Sequence, residues 1–326
     1  SEAARLMAAD LAWQRRGAVR DAVVACHRGD ALLGLAAAEI ALHGQVVEIF
    51  ERRRALGEAN LTEVNLARRG ADSAHRSQAA LRAAAEACRG DLASALSLPL
   101  AAVRDLALDY DGMMPAEAVA IPSAGMRRAA LLGTLAIRQA LAGYAAAEAA
   151  LRLAVARQYP DITITPGLFW DQGGLLWALG GGLTAALLHN NEGPIAEAEA
   201  ARHAAAQAVL AVQGRIIAAL ADADARLAAA RVELAAAGAL LERRRERLAV
   251  AERRLEGGDV GRLEVTEAQL AVREAESTVL ATRLDLIAVQ AIYEDAVGLP
   301  LIGRGSPALD LEAMALREPG WNRGTP

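Results

Sequence analysis

Lysine is absent from all 326 positions, so all 35 residues of the Lys/Arg class are arginine. That excludes P-loop phosphate binding through lysine and Schiff-base chemistry. Aromatic residues amount to only 3%. A chain so poor in bulky rings and so rich in alanine suits closely spaced helices rather than a thick globular centre. HExxH, CxxC and GxSxG are all missing, and the histidines (His27, His43, His75, His189 and His203) are scattered. Enzyme chemistry has no foothold, and neither a metal site nor a cofactor is expected. The net charge is −5, with the signs interspersed rather than blocked, so no nucleic-acid face is expected. The opening residues, SEAARLMAADLAWQRRGAVRDAV, read as the middle of a helix without the parts of an export signal before them. Either the protein is not exported or its beginning lies upstream.

What is present centres on residues 160–194, the one stretch that does not read as helix. Pro160 and Pro194 bracket it, since proline breaks a helix interior but fits a first turn. Between them the pattern has period two. Leu175, Trp177, Leu179, Leu183, Ala185 and Leu187 are apolar, and the intervening Ala178, Gly180, Gly182, Thr184 and Ala186 are small or weakly polar. Ile162, Ile164, Leu168 and Trp170 alternate more weakly with Thr163, Thr165 and Gly167. Asp171-Gln172-Gly173-Gly174 supplies the turn. The expectation is a hairpin over about 161–188 with Trp170 and Trp177 flanking its tip. A transmembrane strand needs roughly 9–11 residues, alternation and interfacial aromatics, and this hairpin meets that description. A soluble hairpin packed on helices is the alternative.

The remainder reads as long helices with alanine, leucine and valine stripes. The expected helices are 1–56, about 62–95, about 125–157, 194 to about 256, and 262–296, with a connector at 101–124 and an irregular tail at 302–326. The second half repeats the first. A shift of 201 places Glu51-Arg52-Arg53 on Glu252-Arg253-Arg254, Gly57 on Gly258 and Glu63-Val64 on Glu264-Val265. It also places Arg82 on Arg283 and Leu98-Pro99-Leu100 on Leu299-Pro300-Leu301. Each copy is a long helix, a tight tip and a returning helix. A helix of about 60 residues is roughly 90 Å long, and a lone hairpin of that length cannot bury its stripe. It needs the other copy and further protomers beside it.

Two tandem helical hairpins, a strand pair entered through Gln158-Tyr159-Pro160-Asp161, and the exit Asn190-Asn191-Glu192-Gly193-Pro194-Ile195-Ala196-Glu197 together resemble the TolC family of outer-membrane efflux channels. The runs Phe169-Trp170-Asp171-Gln172-Gly173 and Trp177-Ala178-Leu179 are most similar to its CzcC-like heavy-metal branch. The resemblance covers residues 1 to about 301. It implies a mainly α fold of tandem hairpins forming a coiled-coil periplasmic tunnel, with one β-hairpin contributing to a trimeric barrel. The domains would be a partial first repeat at 1–100, the connector at 101–124, a second repeat at 125–301 and the tail. The implied protein is a homotrimer in outer-membrane lipid that works with a periplasmic adaptor and an inner-membrane pump to export metal cations or small toxic compounds. By the repeat, a signal peptide, an ascending helix and a first strand pair would lie upstream. A periplasmic adaptor or another coiled-coil assembly protein is the rival reading, which the duplicated hairpins disfavour.

The resemblance also implies site residues. Glu264 and Glu267, three apart and on one side of their helix, match an acidic pair that narrows the periplasmic entrance, with Arg262 beside them. Ordinary solvated helix-start acids are the bland alternative. Gly57, Glu58, Asn60 and Thr62 at one tip, and Gly258, Asp259 and Gly261 at the other, match adaptor-contacting surfaces. Trp170, Leu175, Trp177, Leu179, Leu183 and Leu187 would face lipid. Cys26 and Cys88 lie symmetrically about residue 57, so an antiparallel hairpin can bring them level. Two separate buried thiols are nevertheless the expectation, because the sequence does not determine the register of the tip.

Overall fold

Helical periodicity runs on wherever glycine, proline and asparagine do not break it, and the computed structural model follows it closely. The described residues are 2–110, 124–159, 162–171, 173–183 and 191–298. They form α1 (Glu2–Ala55), α2 (Leu61–Leu96), α3 (Leu100–Arg104), α4 (Ala124–Gly133), α5 (Leu135–Ala156), β1 (Ile162–Asp171), β2 (Gly174–Leu183), α6 (Glu192–Glu256) and α7 (Arg262–Val297). The fold is thus mainly α, with one β-hairpin. The helix expected over 125–157 is two helices. Gly133 ends α4, and Thr134, with φ −62 and ψ 148, leaves the helical region before α5. Glycine is the costliest ordinary residue in a helix interior, and threonine favours the N-cap position, so the break falls where both occur together. α6 begins two residues before Pro194, which occupies the first turn where its missing N–H is no loss.

The repeat holds to the residue. α1 and α6 end at positions 201 apart, as do the starts and the ends of α2 and α7. Gly57 and Gly258 have φ of 79 and 78, and Ser97 and Gly298 both take left-handed backbone, at φ 56 and 69.

Two compact units divide the chain. One comprises residues 1–7 and 131–217, the other 8–130 and 218–326. In the first, Asn191 donates to the Ala154 carbonyl (2.8 Å) and Arg202 pairs with Glu148 (3.3 Å). These contacts tie the start of α6 to α5 on either side of the hairpin in sequence. In the second unit the helices pack in the order α2, α1, α7, α6. Ala22 of α1 meets Leu92 and Ala93 of α2, joined by Val103 of α3. Val24 of α1 meets Leu284, Ile287 and Ala291 of α7. Leu241 of α6 meets Val272 and Ala275 of α7. Near the tips Val46, Ala67 and Leu270 bring α1, α2 and α7 together. α1 and α7 are the inner pair of this row, and α2 and α6 its edges.

Polar pins reinforce the register that the leucine and isoleucine side chains of these seams begin to set. Glu294 of α7 has a side chain with 0% exposure and pairs with Arg16 and with Arg20 of α1, the latter at 3.1 Å. Arg20 also grips Asp295 through both terminal nitrogens, at 3.2 and 2.9 Å. Burial opposes the Arg20 charge, but hydrogen bonds and attraction from Asp295 and Asp21 outweigh it and hold its pKa above the ordinary arginine value. Arg28 and Asp285 form a second pin two helical turns further along α1. α1 and α6 also contain runs apolar enough, by composition, to cross a membrane. At 54 and 65 residues both far exceed the roughly 20 a bilayer requires.

Removing one partner of a buried ion cluster strands the others. Glu294→Ala is therefore expected to lower the unfolding free energy by about 3–5 kcal/mol, read as a shifted denaturant midpoint. An unchanged midpoint would remove this cluster as a determinant of the α1–α7 packing.

Candidate functional site

Two features stand out as functional surfaces, the strand pair and the paired tips. β1 and β2 are antiparallel, with Trp170 opposite Leu175, Leu168 opposite Trp177 and Pro166 opposite Leu179. Ile164 faces Gly181, and Ile162 faces Leu183. Residues directly opposite in an antiparallel pair share a face. The register therefore gathers the apolar sets of both strands on one side: Ile164, Pro166, Leu168 and Trp170 with Leu175, Trp177 and Leu179; the side chain of Leu183, expected there too, lies outside what is described. The other side carries Thr163, Thr165 and Gly167 with Gly182, Gly180 and Ala178, joined near the turn by the pair Phe169–Leu176. Gly173, at φ 86, makes the turn.

That apolar side has no cover among the described residues. Trp170 is 73% exposed, Trp177 75% and Leu179 78%, with Leu175 also exposed. Each such side chain would gain about 1.5–3 kcal/mol on burial, and a contiguous face of this kind marks an interaction or membrane surface. Leu187, expected on the same face, lies outside the described residues.

Both tips share one backbone and differ in chemistry. Gly57 and Gly258 adopt φ of 79 and 78, the left-handed conformation that closes a helix C-terminus. The Glu58 N–H reaches the Arg53 carbonyl (2.8 Å) and the Asp259 N–H reaches that of Arg254 (2.9 Å). A side chain at either glycine would be strained. After the turn the copies diverge. Asn60 caps α2: its side chain accepts the Glu63 N–H at 3.0 Å, and the Glu63 carboxylate accepts the Asn60 N–H at 2.7 Å. The corresponding cap of α7 is Gly261, which has no side chain to offer. Glu264 cannot complete the same reciprocal box and instead pairs with Arg254 of α6 at 2.8 Å. The exposed positions Leu56, Leu61 and Leu66 of the first tip correspond to Gly257, Arg262 and Glu267 of the second. One tip is leucine-rich and the other charged. Glu58, Thr62, Asp259, Arg262 and Glu267 are all exposed. The Glu264–Arg254 pair was not evident from the sequence, although the repeated Glu-Arg-Arg block next to the tip was its visible signal.

Cys26 and Cys88 are not separate thiols. They form a disulfide between α1 and α2, with Cα atoms 5.2 Å apart. The correction has a local cause. At Gly29 a Cβ would lie 3.1 Å from the Ala85 backbone, so the two helices approach closely one turn from the cysteines, which lie level. Among the described residues no group of His, Cys, Asp and Glu could hold a metal ion.

The long-helix and strand-pair arrangement recurs in solved structures. It is similar to the outer membrane protein VceC of Vibrio cholerae, with TM-score 0.72 and 18% identity over 91% of this chain and 72% of that one. It is similar also to the open state of the MtrE outer membrane channel of Neisseria gonorrhoeae, with TM-score 0.63 and 20% identity over 91% and 70%. CusC, described in connection with transmembrane channel formation, matches with TM-score 0.68 and 18% identity over 91% and 70%. The fold is that of the TolC-like outer-membrane channels. No family model matches the sequence, and no curated protein matches it.

The two tips should respond differently to mutation. Asn60→Ala deletes a side-chain cap and is expected to cost about 1 kcal/mol, with faster amide exchange confined to the first turn of α2. An unchanged stability and exchange pattern would show that the capping box contributes nothing there.

Proposed function

We propose that this chain is a subunit of an outer-membrane efflux channel that conducts passively. The observation that carries the reading is the single apolar, exposed face of the β1–β2 hairpin in a chain with the fold of outer-membrane channels. Lipid covers such a face without further protein, and the tryptophans next to the turn suit the headgroup level. A buried cystine fits an oxidising compartment such as the periplasm. On this reading the helical hairpins line a periplasmic tunnel, and the tips meet an adaptor that links the channel to an inner-membrane pump. Metal cations or small toxic compounds are the proposed cargo. Because the protein performs no covalent step, its mechanism consists of excluding, admitting and steering solutes.

The helix order supports a closed ring of copies. α1 corresponds to α6 and α2 to α7 by the 201-residue shift, so the α1–α7 contact inside one chain maps onto a contact between α6 and the next protomer's α2. A contact of this heterologous kind closes a ring when its rotation does, and a homotrimer is the proposed result. The mapped residues are small. Arg28 and Asp285 correspond to Ala229 and Ala84, and Val24 and Leu284 to Ala225 and Ala83. All four alanines are exposed in the single chain. Oxidising a variant with both Ala229→Cys and Ala84→Cys should give covalent oligomers that neither single variant gives. Monomer alone, from protein shown to be assembled, would exclude this register.

The constriction is proposed at the second tip. Glu264 and Glu267 from each of three copies would ring the axis, lowering the barrier to cations and raising it to anions. Arg254 partly neutralises Glu264, so Glu267 supplies the less compensated charge, and Arg262 is placed to pair across protomers. Replacing Glu264 and Glu267 together with alanine should reduce cation preference and change single-channel conductance in planar bilayers. Identical values would remove the acidic pair from the gate.

A further inference from the structure

The disulfide stands beside an unusual piece of packing. After α3 the chain runs through Leu106–Tyr110 without regular structure, with Leu108 and Tyr110 half-buried. Arg89 of α2 holds it at several points. Its Nη1 donates to the carbonyls of Arg104 (2.7 Å), Leu106 (3.3 Å) and Val103 (3.5 Å). Asp30 of α1 accepts the Tyr110 hydroxyl at 2.7 Å, and the rings of His27 and Tyr110 lie 4.4 Å apart. Burial, and then the bond to Asp30, push the Tyr110 phenol above its ordinary range, so it remains a donor. Val103 and Leu108 pack on Ala22 and Leu92.

The gripping residues flank the cystine. His27 follows Cys26 and Arg89 follows Cys88, so segment 103–110 is held by two helices at once and only at one axial offset between them. A slide of one residue, about 1.5 Å, would separate Asp30 and His27 from the positions that Arg89 dictates. At the cystine the seam places Gly29 against Ala85, and Ala22, Leu92, Ala93 and Val103 pack further along it. The second copy has no counterpart: Leu227 and Val289 occupy the cysteine positions, and Ala228, Arg231 and Gln290 those of His27, Asp30 and Arg89.

We propose that the Cys26–Cys88 bond is a latch, set once by oxidation during folding, that locks α1 and α2 at the offset where His27, Asp30 and Arg89 can seize segment 103–110. One cysteine thiolate attacks the disulfide of a thiol–disulfide exchange protein, giving a mixed disulfide and releasing one thiolate of that protein. The second cysteine then attacks the mixed disulfide at the first cysteine's sulfur and expels the other thiolate. The two thiols lose two protons and two electrons, and the oxidant leaves as a dithiol. Cys26 is 0% and Cys88 3% exposed, so the bond forms before the helices finish packing and is then shielded from reductant. The held segment is the first part of the link to the second repeat, which makes docking of that link depend on an oxidising compartment. The inference rests on the packing of α1, α2 and α3 and does not depend on what the protein conducts.

The test is amide hydrogen exchange by mass spectrometry on the full chain in detergent, comparing the native protein with Cys26→Ala/Cys88→Ala and with Arg89→Met. Both variants are expected to exchange about tenfold faster over 103–110, with α7 unchanged. Arg89→Met should do so while retaining the disulfide, as read by alkylation and intact mass. If the double alanine variant does not fold, exchange is measured on Arg89→Met and on native chain folded with its thiols alkylated. Unchanged protection of 103–110 without the disulfide would overturn the proposal. So would finding both cysteines reduced in protein isolated from an oxidising compartment.

Discussion

Alanine seams bring helices close but say little about where along its length one helix should sit on another. Long side chains interlock as knobs in holes, whereas alanines present a nearly even surface. In this chain the large side chains at each cluster, Leu92, Leu284, Ile287, Leu241 and Leu270, set part of the register, and a few polar or covalent pins supplement it. Arg20 with Glu294 and Asp295, and Arg28 with Asp285, join α1 to α7. Arg245 with Glu276, and Arg254 with Glu264, join α6 to α7, and the cystine joins α1 to α2. The apolar contacts supply association and part of the register, and the pins reinforce the offset. Glu294 is the costliest of these, because its side chain has no solvent to fall back on.

Duplication shows how this division of labour can be changed without altering the backbone. The two tips differ by one degree at their glycines, yet Asn60 closes a capping box where Gly261 offers none. The acid at the matched position is thereby given different work: Glu63 bonds to backbone, while Glu264 reaches the guanidinium of Arg254. A single cap residue thus decides whether a carboxylate is absorbed by its own helix or left for electrostatics. The same logic separates the first hairpin, cross-linked and closely packed at Gly29, from the second, which has Leu227 and Val289 at the cysteine positions.

Much of this was legible in the residues. The long helices follow from uninterrupted periodicity, and the repeat could be read from Glu-Arg-Arg, Glu-Val and Leu-Pro-Leu at a constant shift. Strand alternation anticipated the apolar face, since period two survives folding unchanged. What stayed hidden depended on contacts between distant segments. The pairing of Cys26 with Cys88 needs the tip's register, which one residue of uncertainty would spoil. The break at Thr134 was masked by the apolar pattern on either side, and Glu264's choice of Arg254 depends on the missing side chain at Gly261. The hydrogen bond from Tyr110 to Asp30 joins residues 80 apart, and no local pattern announces it.

The missing lysines acquire a structural meaning in this light. A pin between smooth helices must hold several acceptors in fixed directions, and an ammonium on a flexible stem does that poorly. A planar guanidinium does it well. Arg20 binds Asp21, Glu294 and both oxygens of Asp295 with one group, and Arg89 gathers three carbonyls of one short segment. Lysine at either place would keep the charge and lose the fork, so the helices would stay associated while the offset between them became less certain. Where a pin must gather several acceptors at a helix seam, directional bonding matters more than charge, and arginine is the basic residue that provides it.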